Sequence, residues 1–391
     1  MATQIDRGAQ RRAAPPILQN AFRPFFIGAA LIAALMVPLW ASQYLGFVSL
    51  LLPGGVSAHS HEMLYGFVAA IVCGFSLTAI PNWTGRSPVA GLPLAALFTL
   101  WLAGRSMLFW PESLIATGLD LAFLFVLAGV ALREILAGKN WRNLPVTLIL
   151  GAFALSHLAF HQPGLAVFAP RASLAVAAVL IGLIGGRITP SFTRNWMAGC
   201  NHPKTSAMPA PMLLLDKLSL GLLGLALAGW VVAPDSMIIG AGLLLAGALH
   251  LFRVSRWQGL STLSEPLVWS LHAGMAWVGL GTILLGVGAL WPVILPASAG
   301  LHAIAAGAIG TMALAVMTRV CLGHTGRART AGGVETVIFA LVHAGASLRV
   351  IAAITGNAVW PLILGAVLWS AAFALFAIVY TPMLFEPRVK G

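Results

Sequence analysis

The chain has 391 residues, of which 59% are hydrophobic and only 8% charged, with a mean hydropathy of +0.93 and a net charge of +12. A soluble domain carries roughly 25% Asp, Glu, Lys and Arg, so a soluble enzyme is excluded, as is a disordered chain, whose signature is low hydrophobicity. What remains is an all-α, polytopic membrane helical bundle. The positive charge lies in the connections between apolar runs, with no basic block interleaved with aromatics, which speaks for membrane topology and against nucleic acid.

The N-terminal stretch to Pro16 is polar and holds Arg7, Arg11 and Arg12. No short apolar core with a small-residue cleavage site follows, so the first run, from Phe25, is expected to be a retained helix. About 20 apolar residues cross a bilayer as a helix. Twelve runs satisfy this, at 25–46, 60–80, 91–110, 113–136, 144–161, 168–189, 216–233, 236–254, 266–290, 298–321, 334–355 and 359–384. The expected organisation is a cytoplasmic segment at 1–24, one twelve-helix transmembrane domain at 25–384 and a cytoplasmic tail at 385–391. With both termini cytoplasmic, nineteen of the 22 Lys and Arg fall inside, leaving Arg105, Arg171 and Arg349 outside. That bias is the one the positive-inside rule requires. The longest connection, Pro190 to Pro211, holds Arg194, Cys200, His202 and Lys204. The cysteines Cys73, Cys200 and Cys321 form no CxxC pair and suggest no disulfide framework.

Three helix ends echo one another. Thr84-Gly85-Arg86 follows the second run, Gly186-Arg187-Ile188-Thr189 ends the sixth, and Thr325-Gly326-Arg327 follows the tenth. The spacing of four helices raises a threefold repeat, against coincidence among short motifs.

Placement gives the histidines their meaning. The topology puts His59, His61, His157, His161 and His302 in the outer half. It puts His250, His272, His324 and the loop residue His202 toward the inner side, and His343 nearer the middle of its helix. His157 and His161 are four apart and share a helix face, so they can present two imidazoles to one metal. His59 and His61 converge only if the helix begins near His61. His302 and His324 would be separated by about 33 Å along a helix, so they cannot share a site. Intramembrane ionisable groups are costly and point to function, against the plainer reading that each ring caps a helix end or bonds a carbonyl. A metal or haem at one of these clusters is the functional reading.

Among the carboxylates, Glu62 stands beside His61 as an acceptor for a ligating imidazole, or as an acid favoured by the helix dipole. Asp120 is expected to pair with Arg105 or Arg171, with a proton path as the other reading. Arg319 and Arg349 match haem propionates in geometry, or else snorkel to headgroups. Met275, Met312 and Met317 read as gap-filling core, with thioether ligation as the other use. Nucleotide motifs are absent.

Phe22-Arg23-Pro24-Phe25-Phe26, His59-Ser60-His61-Glu62-Met63, Pro81-Asn82-Trp83-Thr84-Gly85-Arg86, Gly186 to Asn195, and His302 through Gly310 to Leu322-Gly323-His324-Thr325-Gly326-Arg327 resemble the NnrS family over nearly the whole chain. The resemblance implies a multi-pass protein of the bacterial inner membrane that contains haem, b-type, and copper. It also implies a role in the response to nitric oxide and in denitrification. His59, His61, Glu62, His302 and His324 match by motif; His161, His250 and His272 sit where family histidines are expected, whereas His157, His202 and His343 lie in no matching motif. The bundle also resembles the catalytic subunit of haem–copper oxidases and nitric oxide reductases, which would put a haem between His61 and His302. It departs from them in having no adjacent His-His pair and no late His-x-His.

The function expected is binding of nitric oxide at a haem or copper centre and its removal, or relief of nitrosative stress. The metal candidates are His59, His61, His161, His250, His272, His302 and His324. The cofactor-binding candidates are His59, His61, His302, His324, Arg319 and Arg349, and the candidate proton carriers are Glu62 and Asp120. The outer set of His59, His61, His161 and His302 is the expected centre. A nitric oxide oxidoreductase is one form of this activity, its electron donor unassigned. The alternative is a twelve-helix transporter of a metal, haem or an anion. The bilayer is the expected partner, and the oligomeric state stays open.

Overall fold

A computed structural model describes residues 11, 13–49, 54–202, 208 and 213–389. Arg7, Arg12, Lys204 and Lys390 of the charge count lie outside the described residues. The described chain is helical, without a strand. In order, the long helices are α1 (Phe22–Tyr44), α2 (Val56–Thr84), α3 (Leu92–Gly104), α4 (Leu114–Ala137), α5 (Leu144–Phe160) and α6 (Ala169–Gly199). They continue as α7 (Leu214–Val232), α8 (Met237–Ser255), α9 (Pro266–Leu290), α10 (Ala297–His324), α11 (Gly333–Ile354) and α12 (Val359–Phe385).

Each of the twelve apolar runs is a helix, with ends within several residues of expectation. Among the described residues, 11 helices are long and apolar enough to cross a membrane. The exception is α3, which with its 3₁₀ extension spans only Leu92–Leu108. Two features of the sequence shorten it: Gly91 holds φ +64° ahead of Pro93 at the start, and Arg105 turns the far end into 3₁₀ geometry. The sixth run continues well beyond its expected end at 189, because Pro190 is accommodated inside α6, which runs on to Gly199.

The chain divides into two units. One takes the chain to Ser173, with Val320–Ala328 and the segment from Phe373 onward; the other takes Leu174–Arg319 and Arg329–Ala372. In the first unit, Phe22, Phe25 and Phe26 of α1 are fully buried. Phe25 packs on Phe98 and Trp101 of α3 and on Phe123 of α4, with ring centroids 5.3, 6.1 and 5.8 Å away. Arg23 is buried because its guanidinium caps the end of α12, donating from Nη1 to the carbonyls of Leu384 (2.6 Å) and Glu386 (2.8 Å). Those carbonyls have no helical donor of their own. In the second unit, Trp369 of α12 fills the space left by Gly310 and Gly345; a Cβ at either would stand 2.6 or 2.5 Å from it.

Helices α2 and α10 share a local design. Each winds into a π-helical stretch directly after a histidine, Glu62–Val68 after His61 and Ala303–Ile309 after His302. The wider winding leaves carbonyls loosely held, and in each unit an indole N–H takes one: Trp101 Nε1 donates to Gly66 and Trp369 Nε1 to Ala306, both at 3.0 Å. Each helix ends with a threonine hydroxyl on the carbonyl four residues back and a left-handed glycine, Gly85 at φ +69° and Gly326 at φ +81°. The echo read in the sequence therefore extends to backbone geometry for these two helices; α6 is α-helical throughout.

Candidate metal centre

The centre is built in the first unit from α2, α4 and α5, with Arg105 from the end of α3. His61 and Glu62 stand at the junction where α2 changes to π-helix. Asp120 projects from α4, two turns after Ser113 caps that helix by accepting from the Ala116 amide. His157 lies in the last turn of α5 and His161 is its C-cap, so the four-residue spacing puts both rings on one face.

Four donor atoms converge, one each from His61, Asp120, His157 and His161, all within 4.8 Å of one another. Asp120 Oδ2 lies 2.9 Å from His61 Nε2, 2.9 Å from His157 Nε2 and 3.7 Å from His161 Nε2. The two Nε2 atoms of His61 and His157 are 3.2 Å apart. Donor atoms about 2.0–2.1 Å from a tetrahedral metal are about 3.3 Å from one another, and the observed separations bracket that value. Relative exposures are 2% for His61 and 1% for both Asp120 and His157, whereas His161 is half-buried.

The tautomers follow from what the rings touch. His61 Nδ1 faces Glu62 Oε1 at 3.1 Å. A carboxylate only accepts, so Nδ1 carries the proton and Nε2 of a neutral ring turns its lone pair toward Asp120 and His157. Lone pairs of His61 Nε2 and Asp120 Oδ2 then face each other at 2.9 Å. Such a contact is repulsive unless a cation or proton lies between them.

Arg105 fixes the carboxylates. Its Nη1 donates to Glu62 Oε1 at 2.8 Å, and its Nη2 bonds Asp120 Oδ1. One planar guanidinium thus spans both acids, and Oδ2 is left for the histidines. Two glycines make room. A Cβ at Gly104 would stand 2.9 Å from Asp120 Cα, and one at Gly66 would stand 2.9 Å from Arg105 Nη1. Tyr65 stacks on His157, with centroids 4.0 Å apart and planes at 15°. Its hydroxyl donates to the Ser156 carbonyl at 3.0 Å and contacts Ser173 Oγ at 2.7 Å. Phe160 packs edge-on against His61.

Of the expected outer set, His61 and His161 meet here. His59 does not: the helix starts at Val56, ahead of both histidines, so they diverge, and the His59 ring stacks on Trp40 with centroids 4.2 Å apart. His302 belongs to the second unit, where its Nδ1 donates to the Ser298 carbonyl at 2.8 Å. Asp120 pairs with Arg105, as expected, rather than with Arg171, which lies over Phe168. Glu62 is the carboxylate partner of His61, as expected. His157 carries no family motif; its signal in the sequence was the four-residue spacing to His161.

The remaining candidates are dispersed. His324 packs near Phe22 at 5.6 Å. In the second unit, His272 Nε2 is 2.8 Å from Thr193 Oγ1, His250 is fully buried, and His343 Nδ1 accepts from Trp277 Nε1 at 3.1 Å. Arg319 lies 4.0 Å over the Phe192 ring, and Arg349 lies where α11 packs on Gly365.

The family model described as "NnrS protein" matches residues 16–388. No curated protein matches the chain.

Proposed function

The chain belongs to the NnrS family, and from that premise we propose that it is an inner-membrane metalloprotein that binds nitric oxide and limits nitrosative damage. The observation that carries the metal assignment is the convergence of His61, His157, His161 and Asp120 on one point. Protons can satisfy these atoms only in pairs; one cation satisfies all four. Three imidazoles and one carboxylate suit copper, zinc or iron, and the family's copper is the reading we adopt. Copper held there would supply a centre able to bind nitric oxide and exchange one electron.

The protein's own residues prepare that centre. Glu62 holds the His61 proton at Nδ1, so that Nε2 is the ligating atom. Arg105 orients Asp120 and balances both carboxylates, leaving a positively charged ion to face neutral rings and one carboxylate oxygen. Tyr65 and Phe160 press on His157 and His61 and keep water off the ligating edges. Glu62, whose Oε2 is not used by Arg105 or His61, is the group able to receive a proton beside that centre.

The aromatic packing of Phe160 on His61 and Tyr65 on His157 suits a compact ion. His302 is the residue we read as one that would hold a haem: its Nδ1 donates to the Ser298 carbonyl, which fixes the orientation of the ring. Haem b at His302, with Arg349 toward the propionates, is the reading for the family's second cofactor.

Nitric oxide difference spectroscopy on the purified, reduced protein, with iron and copper quantified, tests the function. Expected are copper and haem in the preparation and an infrared band that shifts with ¹⁵NO. A preparation with neither metal, or with metals unmoved by the gas, overturns it.

A further inference from the structure

The second unit contains a buried set of soft donors that the centre above does not use. His250 of α8 has 0% exposure. Its ring lies within reach of the Met275 backbone, yet neither ring nitrogen is satisfied by a hydrogen bond of normal geometry. Met275 of α9 and Met312 of α10 are buried at 0% and 5%. All three meet one face of α6. A Cβ at Gly182 would lie 3.9 Å from His250 Cε1, and one at Gly185 would lie 2.5 Å from Met275 Sδ and 3.2 Å from Met312 Cε. Met312 Sδ in turn lies against Gly274, 2.6 Å from where its Cβ would stand. Gly182 and Gly185 are three residues apart, one helical turn. The two glycines thus admit two thioethers and an imidazole to one face of α6 within one helical turn.

Core methionine accounts for the packing but not for the histidine. A fully buried imidazole that keeps a ring nitrogen unsatisfied costs desolvation that an apolar residue would not. We propose that His250, Met275 and Met312 form a second metal site, for a soft monovalent cation of the Cu(I) class. Thioether and neutral imidazole are the donors that select such ions. The charge argument agrees. The neighbouring Arg253 is already neutralised by Asp216, Nε to Oδ1 at 2.9 Å. The three donors are uncharged, so the site can compensate one buried positive charge more readily than two. This inference is independent of the reading of the outer centre, which contains no sulfur.

The test is Cu(I) binding to the full-length protein in lipid nanodiscs under argon, read by copper stoichiometry and X-ray absorption at the copper edge. A variant in which Cys73, Cys200 and Cys321 are replaced by Ala removes every other strong sulfur donor. The expected result is a sulfur shell in that variant. Adding Met275→Leu and Met312→Leu, which nearly conserve volume, is expected to abolish the sulfur shell and lower the copper bound by one equivalent. The His157→Ala/His161→Ala variant is expected to keep the shell, so failure of the outer centre and failure of this one are read separately. Helical circular dichroism checks that the variants fold, and His250→Gln is a second route to the same loss. No sulfur scattering, or a sulfur shell that survives the methionine substitutions, overturns the proposal.

Discussion

At the residue scale, the centre is held by a guanidinium that bridges Glu62 and Asp120. Removing one partner of a buried ion pair costs about 3–5 kcal/mol, because the remaining charge stays buried. Arg105→Ala therefore leaves two carboxylates uncompensated and is expected to lower the thermal midpoint of the purified protein sharply. Arg105→Lys keeps the charge but has no planar fork to span two acids, so it should restore part of the stability and little of the metal affinity. Equal metal affinity in the lysine variant would contradict the bridging role. Glu62→Gln removes the carboxylate that fixes the His61 tautomer, and a loss of about 10–100-fold in metal affinity is expected, measured by competition with a chromophoric chelator. Two of these relations were readable from the sequence: Glu62 adjoins His61, and Asp120 needs a partner inside the membrane. The membership of His157 was marked only by its four-residue spacing to His161, because its contacts with His61 and Asp120 are long-range and it lies in no matched motif. His59 lies apart from this cluster because a His-x-His spacing on a continuous helix turns its two rings apart, toward Trp40 and Asp120.

At the element scale, the π-helical stretch of α2 sets where His61 and Glu62 point, and Trp101 secures it through the Gly66 carbonyl. Trp101→Phe keeps the ring against Phe25 and loses that bond, a cost of about 1 kcal/mol, which a denaturation midpoint would register as a modest shift. Gly104→Ala is the harsher change. Its Cβ meets the backbone of Asp120, which cannot swing aside, and overpacking of this kind costs about 1–3 kcal/mol. It is expected to cut bound metal while leaving helical content intact. The helices themselves were legible as apolar runs, and their ends fell within a few residues except at α6, which continues through Pro190 to Gly199. The short α3 was read as a full span because the apolar run includes Arg105 and reaches Trp110, whereas the backbone tightens at Arg105 so that its side chain can turn to the acids. A change of helical winding has no sequence period of its own, so neither π-helical stretch could be foreseen.

At the scale of the whole molecule, the charge distribution argues that both termini face the cytoplasm. Cys200 is exposed, beside the connection that the topology places inside. A variant retaining only this cysteine should react with a membrane-impermeant thiol reagent in inverted vesicles and resist it in intact cells; the reverse pattern would invert the topology. The design of α2 recurs in α10: each has a histidine leading into π-helix and an indole on the loosened carbonyl. In the first unit the histidine meets partners from α4 and α5. In the second it bonds its own helix through the Ser298 carbonyl.

The most direct test of the central assignment is metal content by mass spectrometry of the purified wild-type protein, compared with His157→Ala/His161→Ala and with His59→Ala. The account predicts that the double variant loses one equivalent of metal per chain and that His59→Ala keeps the wild-type amount. Full metal content in the double variant, or its loss in His59→Ala alone, would contradict it.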